Sequence, residues 1–219
     1  MIMAFGRVAR TLVFAALLGT SACTVPAVIA PEAEATLPAM RWDFRPEADI
    51  WTAATLDALE QHGSELPAMT PEDIDVFCPR YRTASEEDRR AFWAGLFSAL
   101  AKHESTWNPA AVGGGGRWFG LVQIDPRTAR GYGCKAQSGS ALKNGAANLS
   151  CAVRIATSQV TKRGTVSRGM RDWGPFHSSS KRAEMATWTR AQEYCQIKPE
   201  PSVSARLVAV AKSLGLDQK

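Results

Sequence analysis

One carboxylate, Glu104, stands apart in this sequence because of its spacing. Phe92, Leu96, Leu100 and Glu104 recur every four residues, and Trp93 and Phe97 widen the same apolar stripe. Side chains four apart share one face of a helix. Glu104 therefore continues a buried face. Burial against apolar groups raises a glutamate pKa toward neutrality. A carboxyl that starts protonated can give its proton to a departing oxygen and later act as a base. The pattern describes one isolated acid at the C-terminal end of a core helix.

The residues that follow frame a cleft. Asn108-Pro109 stops the helix, because a residue before proline is pushed out of the helical region. Gly113 to Gly116 form a flexible or tightly turned rim. A phosphate cradle is a poor reading there: no Gly-Lys-Ser/Thr follows and no strand precedes. Gly120-Leu121-Val122-Gln123-Ile124 then reads as a tight turn. Gln123 can present its amide to a ligand or bond across that turn.

Those residues need helices to hold them. The pattern predicts helices over about 47–61, 70–78, 85–104, 126–130, 140–164, 167–173, 180–195 and 202–213. Thr70-Pro71-Glu72-Asp73 and Ser85 with Asp88 are start signals. Asp125 is expected to cap the helix opened by Pro126. No segment alternates convincingly as a strand, although the glycine region has room for a short β-hairpin. The fold class is mainly α, a single domain over 47–219.

The first 22 residues read as an export signal. Arg7 and Arg10 precede an apolar run, Thr11 to Gly19, that is too short to span a bilayer. Thr20-Ser21-Ala22-Cys23 resembles a lipoprotein cleavage box, with Cys23 the lipidation site. The other reading is an ordinary signal cut near Ala22. Residues 23–46, with Pro26, Pro31, Pro38 and Pro46, read as a tether. Thr24 is not the aspartate that favours inner-membrane retention, so a periplasmic domain anchored to the outer membrane is expected.

Four further cysteines, Cys78, Cys134, Cys151 and Cys195, suit two disulfides in an oxidising compartment. Three pairings are possible; the preferred one joins Cys134 to Cys151 locally and Cys78 to Cys195 at long range. A zinc cluster is disfavoured by the absence of Cys-x-x-Cys and by only 3 histidines. The formal charge of +5 becomes +3 once the two arginines of 1–22 are removed. That weak basic balance, with no long basic run, gives nucleic acid no support.

The ordered combination over residues 92–175 resembles the catalytic region of the soluble lytic transglycosylases. It comprises Glu104-Ser105, Asn108-Pro109, the Gly120–Ile124 turn, Pro126, Thr128-Ala129 and Asn148-Leu149. The resemblance implies a lysozyme-like fold of the goose-lysozyme type and peptidoglycan glycan strands as substrate. It implies no metal or organic cofactor. Glu104 is the implied catalytic residue. Ser105, Gln123, Asn148, Trp118, Phe119, Trp173 and Tyr132 are candidate substrate contacts, with Trp107 a further stacking candidate. Asn148 can instead bridge structure. His103 points elsewhere on the helix, and Asp172 reads as structural or cleft-lining. The chain departs from the family at Arg171-Asp172-Trp173-Gly174-Pro175, where an Ala-Tyr-Asn-x-Gly-like signature is usual. Trp173, Tyr132 or Tyr194 is left to fill that tyrosine's place. A hydrolase of the same fold and a non-catalytic wall-binding scaffold are the alternative functions.

Overall fold

The computed structural model describes residues 37–197 and 203–213, all within the compact unit Thr36–Lys219. The expected signal at 1–22 and Cys23 lie outside the described residues. The chain enters through turns at 41–47 and forms helix α1 (Ala48–Gln61). Two short helices follow, α2 (Glu65–Ala68) and α3 (Ile74–Phe77). Next comes α4 (Glu86–Ser105), buried from Ala91 to Ala101. A hairpin of β1 (Val112–Gly113) and β2 (Trp118–Phe119) then pairs antiparallel, Val112 opposite Phe119. Helices α5 (Pro126–Gly131), α6 (Gly139–Leu142), α7 (Gly145–Arg163) and α8 (Val166–Gly169) come next. Helix α9 (Ser179–Arg190) and α10 (Val203–Ser213) complete the described chain. The fold is mainly α with a small β-hairpin, as the sequence predicts.

Helix α4 starts and stays buried for reasons visible in its residues. Ser85 accepts from Asp88 N, and Glu86, Glu87 and Asp88 sit where the helix dipole favours acids. Every residue from Ala91 to Ala101 is buried. The four-residue stripe read from the sequence is thus only part of the buried surface. Apolar or small residues lie all round this helix, which suits a central position. It packs against α1, α2 and α9, while α7 lies against α1 and α8.

The structure pairs Cys78 with Cys195 and Cys134 with Cys151. The first links the end of α3 to a 3-10 turn at Glu193–Cys195. The second ties the loop after α5 to the first turns of α7.

Several expected boundaries are corrected. Residues 40–46 are not tether: Met40 and Trp42 are buried, and the Trp42 indole donates to Thr52 Oγ1 at 2.9 Å. The helix expected from Thr70 begins only at Ile74, with Asp73 preceding it. Asp73 instead binds a distant helix, its carboxylate accepting from Val166 N and Ser167 N at the start of α8. The long helix expected over 140–164 is broken at Lys143-Asn144, where Asn144 caps α7 by accepting from Ala147 N. Residues 170–177 form 3-10 turns beyond α8, Met170–Asp172 and Gly174–His177.

Candidate active site

Helix α4 delivers Glu104 half-buried at its C-terminal turn. Its Oε1 is buried and has no hydrogen-bond partner. Burial pushes the carboxyl up from 4.5 to about 7; the positive charge of Lys181, near the start of α9, opposes this more weakly. An acid that remains protonated near neutral pH is what proton donation to a leaving oxygen needs.

The helix ends in strained backbone instead of at the Asn-Pro step. Thr106 and Trp107 both have positive φ, 52° and 56°. Left-handed backbone costs a non-glycine residue about 1–2 kcal/mol, and here neighbouring contacts hold it. Thr106 N caps the helix through Ala101 O and Lys102 O. The Trp107 indole donates to Ser98 O at 2.9 Å. The third non-glycine residue with positive φ among those described is Gln123, also in this region.

Ser105 fastens the acid's turn to the turn at 120–124. Its hydroxyl donates to Leu121 O at 2.8 Å and, more loosely, to Ala101 O. Gln123 spends its amide N–H groups on Gly120 O, at 2.8 Å, and Ala111 O. Its Oε1 occupies the space a Cβ on Gly113 would need, so a larger residue there would push the Gln123 amide aside. Gly120 has φ 83°, and a Cβ would meet Leu142 O and the Asn148 amide at little more than 2 Å.

Asn148 is fully buried, and its amide is spent on backbone groups. Its Oδ1 accepts from Val122 N, and its Nδ2 donates to Phe119 O and Leu142 O, each at 3.0 Å. Trp173 is likewise buried, 4% exposed, with its indole donating to Val122 O at 2.9 Å and its ring edge-on to Phe97. It offers no face to a sugar. These two side chains satisfy both backbone groups of Val122 and so set the conformation of the turn.

The exposed aromatic candidate is Trp118, 42% exposed on the hairpin, with the Arg117 guanidinium over its ring. Arg117 is itself tied to Asp125 at 2.9 Å. That bond, with the backbone bond from Arg127 N, holds the Asp125 carboxyl below the usual range. Asp125 caps α5, as expected. Phe119 is half-buried, its ring lying against Gly139. Tyr132 bonds Gln159 through its hydroxyl, and the buried Tyr194 bonds Ala39 O and packs on Gly95. Neither tyrosine partners the Glu104 Oε1.

Residues 83–172 match the family model of the Transglycosylase SLT domain. Every candidate contact except Trp173 falls within those matched residues. Among solved structures, the chain is similar to Bd0314 DslA. A glutamate-to-glutamine mutant of that protein superposes with a TM-score of 0.66 and 24% identity, covering 74% of this chain and 100% of that chain. Its wild-type form and a second such mutant give 0.65, with the same identity and coverage. This likeness establishes the fold. Comparison with curated proteins found no match.

Sequence reasoning did not find the cluster around Glu184. Arg41, Lys102 and His103 all bond its carboxylate. Arg41 lies 143 positions away and has no local signal. Among the described residues no group of His, Cys, Asp and Glu could hold a metal ion. A groove of about 640 Å³ lined by Leu37, Leu56, Glu60, Asp88 and Tyr194 contains none of the residues around Glu104.

Proposed function

We propose that the protein is a lytic transglycosylase that cleaves the β-1,4 bond between N-acetylmuramic acid and N-acetylglucosamine in peptidoglycan. The observation that carries this is Glu104: a half-buried carboxyl with a partnerless buried oxygen and a pKa of about 7, at the end of the core helix. The SLT segment containing it supports the substrate class. Glu104 protonates the glycosidic oxygen as the bond to C1 breaks. The same carboxylate, now a base, takes the proton of the muramic acid C6 hydroxyl as that oxygen closes onto C1. The product is a 1,6-anhydro end, and water is not consumed. One acid then suffices, in contrast to the paired carboxylates of most glycosidases. Asp125, held ionised by Arg117 and occupied in capping α5, is assigned to structure.

The reading places the enzyme in the periplasm, carried by a lipid on Cys23 at the outer membrane, and needs no metal or organic cofactor. Trp118, exposed on the hairpin, provides an apolar face for sugar C–H groups. The Gln123 N–H groups are already spent on Gly120 O and Ala111 O, which leaves its Oε1 for the substrate.

Mass analysis of the ends released from purified glycan strands tests the reaction. Anhydro ends are lighter than reducing ends by one water. Their release supports the transglycosylase; reducing ends would make it a lysozyme-type hydrolase. Binding without cleavage would make it a wall-binding scaffold.

A further inference from the structure

Three cationic or N–H donor groups converge on one carboxylate beside the last turn of α4. Arg41 meets Glu184 through Nη1 at 2.9 Å and also through Nη2. Lys102 Nζ lies 2.8 Å from Glu184 Oε1, and His103 Nε2 lies 2.8 Å from Oε2. A carboxylate can only accept, so all three donate. Together they hold Glu184 well below the usual carboxylate range, Arg41 contributing most. Lys102 and His103 immediately precede Glu104.

The segment 40–46 grips the same turn from a second side. Arg41 N donates to Ser98 Oγ at 3.0 Å. The carbonyl of Ser98 accepts from the Trp107 indole, three residues beyond Glu104. Phe44 meets the Trp107 ring edge-on, with centroids 5.0 Å apart. Helix α9 closes the third side. It supplies Glu184 and, one turn earlier, Lys181, whose charge acts on Glu104. Arg41 and Glu184 both lie outside the SLT segment.

We propose that Arg41 and Glu184 are positioning residues for Glu104. Their bidentate pair fixes the last turn of α4 between the segment 40–46 and α9, and so sets the direction from which the acid meets the glycosidic oxygen. The strained Thr106-Trp107 backbone gives that turn an alternative to relax into, which the clamp prevents. This inference rests on the assignment of Glu104 as the catalytic acid.

The test compares Glu184→Gln, Arg41→Gln, the double variant and Glu104→Gln for kcat, KM and melting temperature on purified glycan strands. A misplacement of about 1 Å can lower a rate by about 100-fold. Each single variant should lower kcat by about 10- to 100-fold and leave KM within about 2-fold. The double variant should fall no further than either single, because the two residues act as one unit. Arg41→Lys, which keeps charge but not the bidentate fork, should recover part of the rate. If Glu184→Gln fails to fold, Arg41→Gln alone decides. Folded variants with wild-type kcat would overturn the proposal, as would losses that track a lowered melting temperature or multiply in the double variant. An active Glu104→Gln would instead remove the active-site assignment beneath it.

Discussion

The hydroxyl of Ser105 donates a 2.8 Å hydrogen bond to the carbonyl of Leu121. The residue next to the acid therefore joins the end of α4 to the turn at 120–124. Replacing Ser105 with alanine leaves the buried Leu121 carbonyl without this donor. A lost bond of this kind costs about 1–2 kcal/mol. Ser105→Ala should show that loss in chemical denaturation, with turnover reduced severalfold as the acid and the turn lose their tie. Unchanged stability and turnover would show the bond to be dispensable.

Asn148 is the stronger structural test. Its one amide satisfies Val122 N, Phe119 O and Leu142 O. Truncation to alanine strands Val122 N and Leu142 O, at about 1–3 kcal/mol each where water cannot reach them, while Phe119 O keeps its bond from Ile124 N. Asn148→Ala should lower the denaturation midpoint far more than Ser105→Ala. A loss near zero, with substrate affinity reduced instead, would return Asn148 to the role of sugar contact.

The sequence made Glu104, the helix carrying it and the caps Ser85 and Asp125 legible because each rests on contacts within one or two turns of chain. The hairpin was legible only as room for one, since two-residue strands carry no alternation. Asn148 and Trp173 were recognisable as residues of the site region, but their direction was not. An amide or indole able to bond a sugar can equally bond a backbone carbonyl, and the choice depends on whether helix packing buries it. The segment 40–46 reads as the end of a proline-rich tether because Trp42 finds its cover, and Arg41 its partner Glu184, only in the folded molecule. The left-handed Thr106-Trp107 pair had no signal, since neither residue type favours that backbone.

Glu104 also makes stability depend on pH. Its carboxyl titrates near 4.5 when unperturbed and near 7 in the folded protein. Between those values the folded form keeps a proton that the unfolded form has lost. Stability from this group is complete below the lower value and is lost as pH rises through the higher one. The whole shift corresponds to about 3 kcal/mol, less after solvent screening of a partly exposed group. Glu104→Gln should therefore be more stable than wild type by about 1–3 kcal/mol at pH ~8 and equal to it at pH ~4. An equal difference at both pH values would mean that Glu104 is not the raised group.

Trp118 is exposed, with its ring on the hairpin beside Arg117. Aromatic contacts of this kind contribute about 0.5–1.5 kcal/mol. Trp118→Ala should raise KM for glycan strands by about 2- to 10-fold, with kcat and melting temperature little changed. A collapse of stability would place the ring in the core, and an unchanged KM would remove it from the binding surface.

Glu104 as the one acid and base of the reaction is tested most directly by comparing Glu104→Gln with wild type for turnover and for binding of purified glycan strands. Glutamine keeps the size and much of the hydrogen bonding but exchanges no proton. Binding should be retained and turnover should fall by about 10²- to 10⁴-fold, the usual contribution of positioned acid–base catalysis. Turnover equal to wild type, with binding intact, would contradict that role.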